Sequence, residues 1–135
     1  MQIMDAHSIP YLASVSSSYP GDVYDKFLKA RDIEGTRFFH LLAPCPAGWS
    51  YPTKDTVKIG RMMVESCVFP LFEIEKGRLN LTGKSLSIAK SGRKTPIDEY
   101  IALQGRFNKI TPEQVAEFQK SVDHKWQTLL KRAGF

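Results

Sequence analysis

The chain has 135 residues, 42% hydrophobic and 24% charged, with a net charge of +5. This profile excludes a disordered or collagen-like chain, and the length allows one buried core without cross-links. No run approaches the roughly 18 apolar residues of a membrane span, and the start "MQIMDAHSIPYL" lacks the basic and apolar regions of a secretory signal. The cytoplasm is therefore the expected location. Two cysteines, Cys45 and Cys67, are too few for a disulfide framework and form no CxxC pair.

In chain order, residues 9–17 ("IPYLASVSS") form a short β-prone run bounded by Pro10 and serines. Pro20 suits a first helical turn, and Val23, Phe27 and Ala30 recur at helical spacing, predicting an amphipathic helix that Gly35 closes. Residues 36–44 ("TRFFHLLAP") are nearly continuous in aromatic and aliphatic side chains, the pattern of a strand buried on both faces. Strand, helix and strand with short joints predict a βαβ unit, a parallel sheet and an α/β fold. Residues 53–67 predict a second helix capped by Thr53, with Val57, Gly60, Val64 and Cys67 on one face. Two β-prone runs then flank Glu75-Lys76-Gly77, a hairpin in which Gly77 supplies positive φ.

Beyond residue 82 the pattern changes. Residues 83–94 ("GKSLSIAKSGRK") are polar, basic and glycine-punctuated, and read as a solvated loop carrying Lys84, Lys90, Arg93 and Lys94. Thr95 and Pro96 start a short helix that Gly105 ends. Thr111-Pro112-Glu113-Gln114 is a capping box, with Ile110 placed to staple onto Val115. The helix it starts carries one stripe of Val115, Phe118, Val122, Trp126 and Leu129, a core or docking face. The expected division is 1–82 as a βαβ unit and 83–135 as a basic loop with a helical C-terminal extension.

Phosphate-binding GxGxxG and GxxxxGK[ST] fingerprints are absent, as are HExxH and GxSxG. The mild basicity comes without an RNP-type aromatic strand or a basic helix, which argues against a nucleic-acid partner. His40 falls inside the predicted buried strand and reads as a hydrogen-bonded core histidine; His7 and His124 are assigned no role. Cys67 reads as inert packing on its helix. Cys45 is different: it follows the second predicted strand, between Pro44 and Pro46, which fix φ on both sides. That is where open α/β sheets place their ligands. Spacing alone leaves it open as a ligand or as a structural cysteine.

"LLAPCPAGW", then "TVKIGRMMVESCVFPLFEIEKGRL" and "KTPIDEYIALQGRF", resembles the C-terminal part of the β subunit of 2-oxoacid:ferredoxin oxidoreductases, pyruvate synthase being the nearest type. "IPYLASVSSSYPGDVYDKFLKA" resembles the strand and helix that precede the cysteine there, so the likeness runs from about residue 6 to about residue 106. The resemblance implies the C-terminal half of a thiamine-diphosphate-binding parallel-sheet domain with a helical extension. It implies oxidative decarboxylation of a 2-oxoacid, pyruvate foremost, to an acyl-coenzyme A, with electrons passing through [4Fe–4S] clusters to ferredoxin. The cofactors implied are thiamine diphosphate, Mg2+ and a [4Fe–4S] cluster, and the partners are the other subunits and ferredoxin.

In the family one cluster thiolate comes from the PCPxGW cysteine, which makes Cys45 the expected metal and cofactor ligand. The resemblance names no catalytic acid, base or nucleophile, because the cofactor performs the covalent chemistry. The family's other cluster cysteines and its GDGD…N motif have no counterpart in these residues. The expectation is a portion of a β subunit, inactive alone, the alternative being a non-catalytic docking or ferredoxin-interaction module.

Overall fold

The computed structural model describes residues 1–135. A short helix α1 (Gln2–Ala6) leads into strand β1 (Tyr11–Ser16), every residue of which is buried. Its alternation divides the molecule into two layers. Tyr11, Ala13 and Val15 face helix α2 (Pro20–Arg31) and cluster with Ala30, while Leu12 points into the larger core on the other side. Strand β2 (Arg37–Leu42) runs parallel to β1, in register from Tyr11 opposite Arg37 to Ser16 opposite Leu42. The predicted βαβ unit is present, with Pro20 at the first turn of its helix.

The sheet as a whole is not parallel. After the four-residue helix α3 (Pro46–Trp49) and helix α4 (Thr56–Glu65), strand β3 (Phe72–Glu75) pairs antiparallel with the free side of β1. Strand β4 (Arg78–Leu81) then folds back on β3, giving the order β2-β1-β3-β4 with one parallel and two antiparallel pairs. The hairpin arises where expected: Lys76 and Gly77 both have positive φ (49° and 80°), as a two-residue turn that follows strand twist requires.

β2 also differs from its predicted burial. It is an edge strand, only Leu42 is buried, and Leu41 is 55% exposed. His40 is accordingly an exposed side chain set edge-on to Phe69 at 5.1 Å, not a core histidine. A sequence apolar enough for burial on both faces here has a neighbour on one side alone.

Polar side chains on buried β1 are satisfied. Ser14 Oγ donates to the Pro70 carbonyl (2.7 Å) and accepts the Phe72 N–H (2.9 Å), fastening β1 to the entry of β3. The Tyr11 hydroxyl donates to Glu73 (2.7 Å), and Lys29 of α2 pairs with both Glu73 and Glu75 (2.6 and 2.8 Å). Lys26 is buried and gives its Nζ to the Ser14 carbonyl and to Asp22, each at 2.7 Å; burial holds its pKa below the ordinary lysine value.

In α4 the buried face is Ile59, Gly60 and Val64, whereas Val57 points outward and Thr53 begins a 3-10 turn (Thr53–Asp55) without capping. Cys67 lies past the helix end, in a left-handed turn (φ 63°), and is buried; this low-dielectric site pushes its thiol up to about 11.

Residues 83–94 are not a loop. Helix α5 (Gly83–Ser91) ends at left-handed Gly92 and buries Ser85 and Ile88, so an amphipathic turn was hidden among the lysines and serines. Two of the basic residues are engaged: Lys94 pairs with Asp123, and Lys84 lies 3.9 Å from Glu65. Helix α6 (Ile97–Ala102) follows Pro96 rather than Thr95, and Gly105 opens a 3-10 turn (Gly105–Phe107) instead of ending the helix.

Helix α7 (Pro112–Ala133) carries the expected capping box in full: Thr111 and Gln114 bond each other's backbone N–H. Val122 and Trp126 are buried, and Phe118 and Leu129 pack against the same core, which joins Leu12, Ile74, Ile88 and Tyr100.

Candidate functional site

Cys45 lies three residues beyond the end of β2, in an extended conformation (φ −107°, ψ 107°), as the N-cap of α3. Pro46 occupies the first helical position, where its missing N–H costs nothing. The side chain is exposed, and its Sγ accepts the Gly48 N–H at 3.4 Å. The Trp49 N–H bonds the Cys45 carbonyl (3.0 Å) and the Tyr51 N–H bonds that of Pro46 (3.2 Å), closing the loop on itself. Ser50 reverses it in a left-handed conformation (φ 55°), unusual outside glycine.

The loop is also held from outside. Arg106 places its guanidinium carbon 4.1 Å from the Trp49 ring centroid and 4.7 Å from that of Phe107, and Nη2 donates to Tyr100 Oη at 2.7 Å. The Gly105 N–H bonds the Ser50 carbonyl at 2.8 Å. The PCPxGW and LQGRF elements, far apart in the sequence, are therefore one site. Both elements stand out in the sequence but their contact does not; the one local sign of it is an arginine following glycine, with a tryptophan in the cysteine loop.

A thiolate that ligates iron needs an accessible sulfur, and N–H donors to that sulfur tune the metal; Cys45 has an exposed sulfur and the Gly48 donor. The chain fits such a group as the donor of one ligand. Cys67 is buried in another environment, and no cluster of three or more His, Cys, Asp or Glu side chains could hold a metal ion. Within the same two segments, Tyr51 Oη and Gln104 Oε1 are buried without a hydrogen-bond partner in the chain.

His40 and His124, distant in sequence, line one cleft of about 590 Å³ between the sheet and α7, whose floor includes Phe72, Ile74 and Leu129. No helix is long and apolar enough to cross a membrane.

Fold and site together define an α/β chain that presents one exposed thiol in a short proline-flanked loop after a sheet strand. No family model matches the chain. It is 42% identical over 127 residues to the pyruvate synthase subunit PorB of Methanocaldococcus jannaschii, covering 94% of this chain and 41% of that protein. It is likewise 42% identical over 133 residues to the ketoisovalerate oxidoreductase subunit VorB of Pyrococcus abyssi, covering 98% and 42%. PorB of Methanothermobacter marburgensis matches at 42% over 127 residues, covering 94% and 42%. Over nearly its whole length, the chain is homologous to the β subunits of 2-oxoacid:ferredoxin oxidoreductases. It spans about two fifths of the length of these relatives.

Proposed function

We propose that the chain works within a ferredoxin-dependent 2-oxoacid oxidoreductase, contributing Cys45 as one thiolate of a [4Fe–4S] cluster. The reaction is oxidative decarboxylation of a 2-oxoacid, pyruvate in our reading, with coenzyme A, giving an acyl-coenzyme A and CO2 while two electrons leave for ferredoxin. Thiamine diphosphate with Mg2+ supplies the carbanion chemistry when bound, and a cluster supplies one-electron transfer. This chain's part is to hold a sulfur. Pro46 and the Gly48 N–H fix its direction, and Arg106 stacks on Trp49 of the same loop.

The observation that carries this reading is the exposed Cys45 sulfur inside a self-bonded loop of the PCPxGW type. A buried structural cysteine needs neither exposure nor an N–H donor aimed at it. With two cysteines in separate environments, the 135 residues by themselves do not supply the four ligands a cluster takes. The remaining ligands lie outside these residues, and the other subunits of the oxidoreductase are the partners in this reading. The alternative of a non-catalytic docking module is favoured by one feature, the open edge of β2 with exposed Leu41 and with exposed Phe27 stacked on Phe39.

Iron analysis and the reduced-cluster EPR signal of the assembled enzyme test the assignment. Cys45→Ser should weaken or lose one cluster, since an alkoxide is a poor replacement for thiolate on iron. Cys67→Ala should keep iron at the parental level. Full iron and full 2-oxoacid oxidation in Cys45→Ser would remove the ligand assignment and leave the docking module.

A further inference from the structure

We infer that Arg106 is a positioning residue for the Cys45 thiol, an assignment that builds on the proposed ligand role of Cys45. The direction of the sulfur is set by residues 45–50, a segment with only a few hydrogen bonds of its own. A four-residue helix has too few internal hydrogen bonds to persist alone, and Ser50 sits in a conformation that serine rarely adopts.

What holds it is the 3-10 turn Gly105–Phe107. The Gly105 N–H grips the Ser50 carbonyl, and the two backbones are pressed together: a Cβ on Gly105 would lie 2.8 Å from Ser50 Cβ and 2.9 Å from its carbonyl oxygen. Arg106 completes the grip. Its guanidinium lies over Trp49 on one side and approaches Phe107 on the other, while Tyr100, a fully buried core residue, accepts its Nη2 hydrogen bond.

Core, guanidinium, indole and loop thus form one line of contacts ending at the Gly48 N–H and the sulfur it bonds. A planar, forked cation is needed to stack on the indole and reach the phenol at once; an ammonium offers a point charge instead. Arg106 is itself exposed, so removing it empties no core.

The test is amide exchange by NMR on the 15N-labelled chain. Arg106→Ala should speed exchange at Gly48 and Trp49 by roughly twofold or more, the lower end of what one exposed cation–π contact is worth. Amides of β1 should keep their parental rates, and the Gly48 amide shift should move toward its value in Cys45→Ala. Arg106→Lys should show the same changes at smaller amplitude. Acceleration below about twofold, or equal acceleration in β1, overturns the assignment. The ligand role is read separately, from iron in Cys45→Ser of the assembled enzyme. Retained iron there would sink the ligand reading while the amide data still decide whether Arg106 holds the loop.

Discussion

Arg106 lies across Trp49, its guanidinium carbon 4.1 Å from the indole centroid, and so ties the segment after α6 to the cysteine loop after β2. The neighbouring residue shows how closely the two segments are fitted. Gly105 has no room for a methyl group, because both the side chain and the backbone of Ser50 occupy that space. Gly105→Ala should cost about 1–3 kcal/mol through forced backbone displacement. Chemical denaturation checks it, and a parental midpoint would mean that the loop moves away freely.

Trp126 anchors α7 in the core with 5% of its surface exposed. Trp126→Ala should destabilise the chain by about 3–5 kcal/mol, the usual range for losing a large buried aromatic side chain. A melting temperature within a degree or two of the parent would show that α7 does not depend on this contact.

Asp22 and Lys26 form an ion pair with 8% and 3% of their side chains exposed. Asp22→Ala leaves a buried ammonium with the Ser14 carbonyl as its one hydrogen-bond acceptor and should cost about 3–5 kcal/mol. The double variant Asp22→Leu/Lys26→Met removes both charges and should cost less than Asp22→Ala. Urea denaturation of the two proteins decides; a double variant less stable than the single one contradicts the account.

Stability should fall in alkali. The Cys67 thiol rises from its ordinary value near 9 to about 11 by burial, so the unfolded chain releases that proton first. Its contribution is intact below about pH 9 and is lost as pH rises to about 11, amounting to about 2–3 kcal/mol. Tyr11, Tyr19 and Tyr100, all raised by burial, act with the same sign at higher pH. Lys26, with its lowered value, acts in the opposite sense in any variant that retains it. The difference between parent and Cys67→Ala across pH 8–11 therefore isolates Cys67, and parallel curves would contradict the shift.

The parts of the fold legible in sequence were those with local signatures. Thr111-Pro112-Glu113-Gln114 writes its own helix start, Pro20 marks another, and Lys76-Gly77 marks the hairpin. What escaped depended on partners distant in the chain. The Ser85 hydroxyl accepts the Leu71 N–H at 2.8 Å, so a serine in a polar stretch is a core residue of α5, with no trace in its own neighbourhood. The antiparallel entry of β3 is similar, because the Ser14 bonds that fix it span the chain from β1 to Phe72. Cys45 stood out from its two prolines; its stacking support at Arg106 became legible only once the chain was folded.

The open edge of β2 has a practical consequence for anyone who produces this chain alone. "RFFHLL" is a six-residue run of high β-propensity whose outer backbone groups have no strand beside them, with exposed Leu41 near its end. Such an edge is a template for edge-to-edge growth, and copies of the chain can extend one another's sheets into insoluble aggregates. Arg37 and His40 are the polar interruptions in the run. Loss of soluble material should therefore grow with protein concentration.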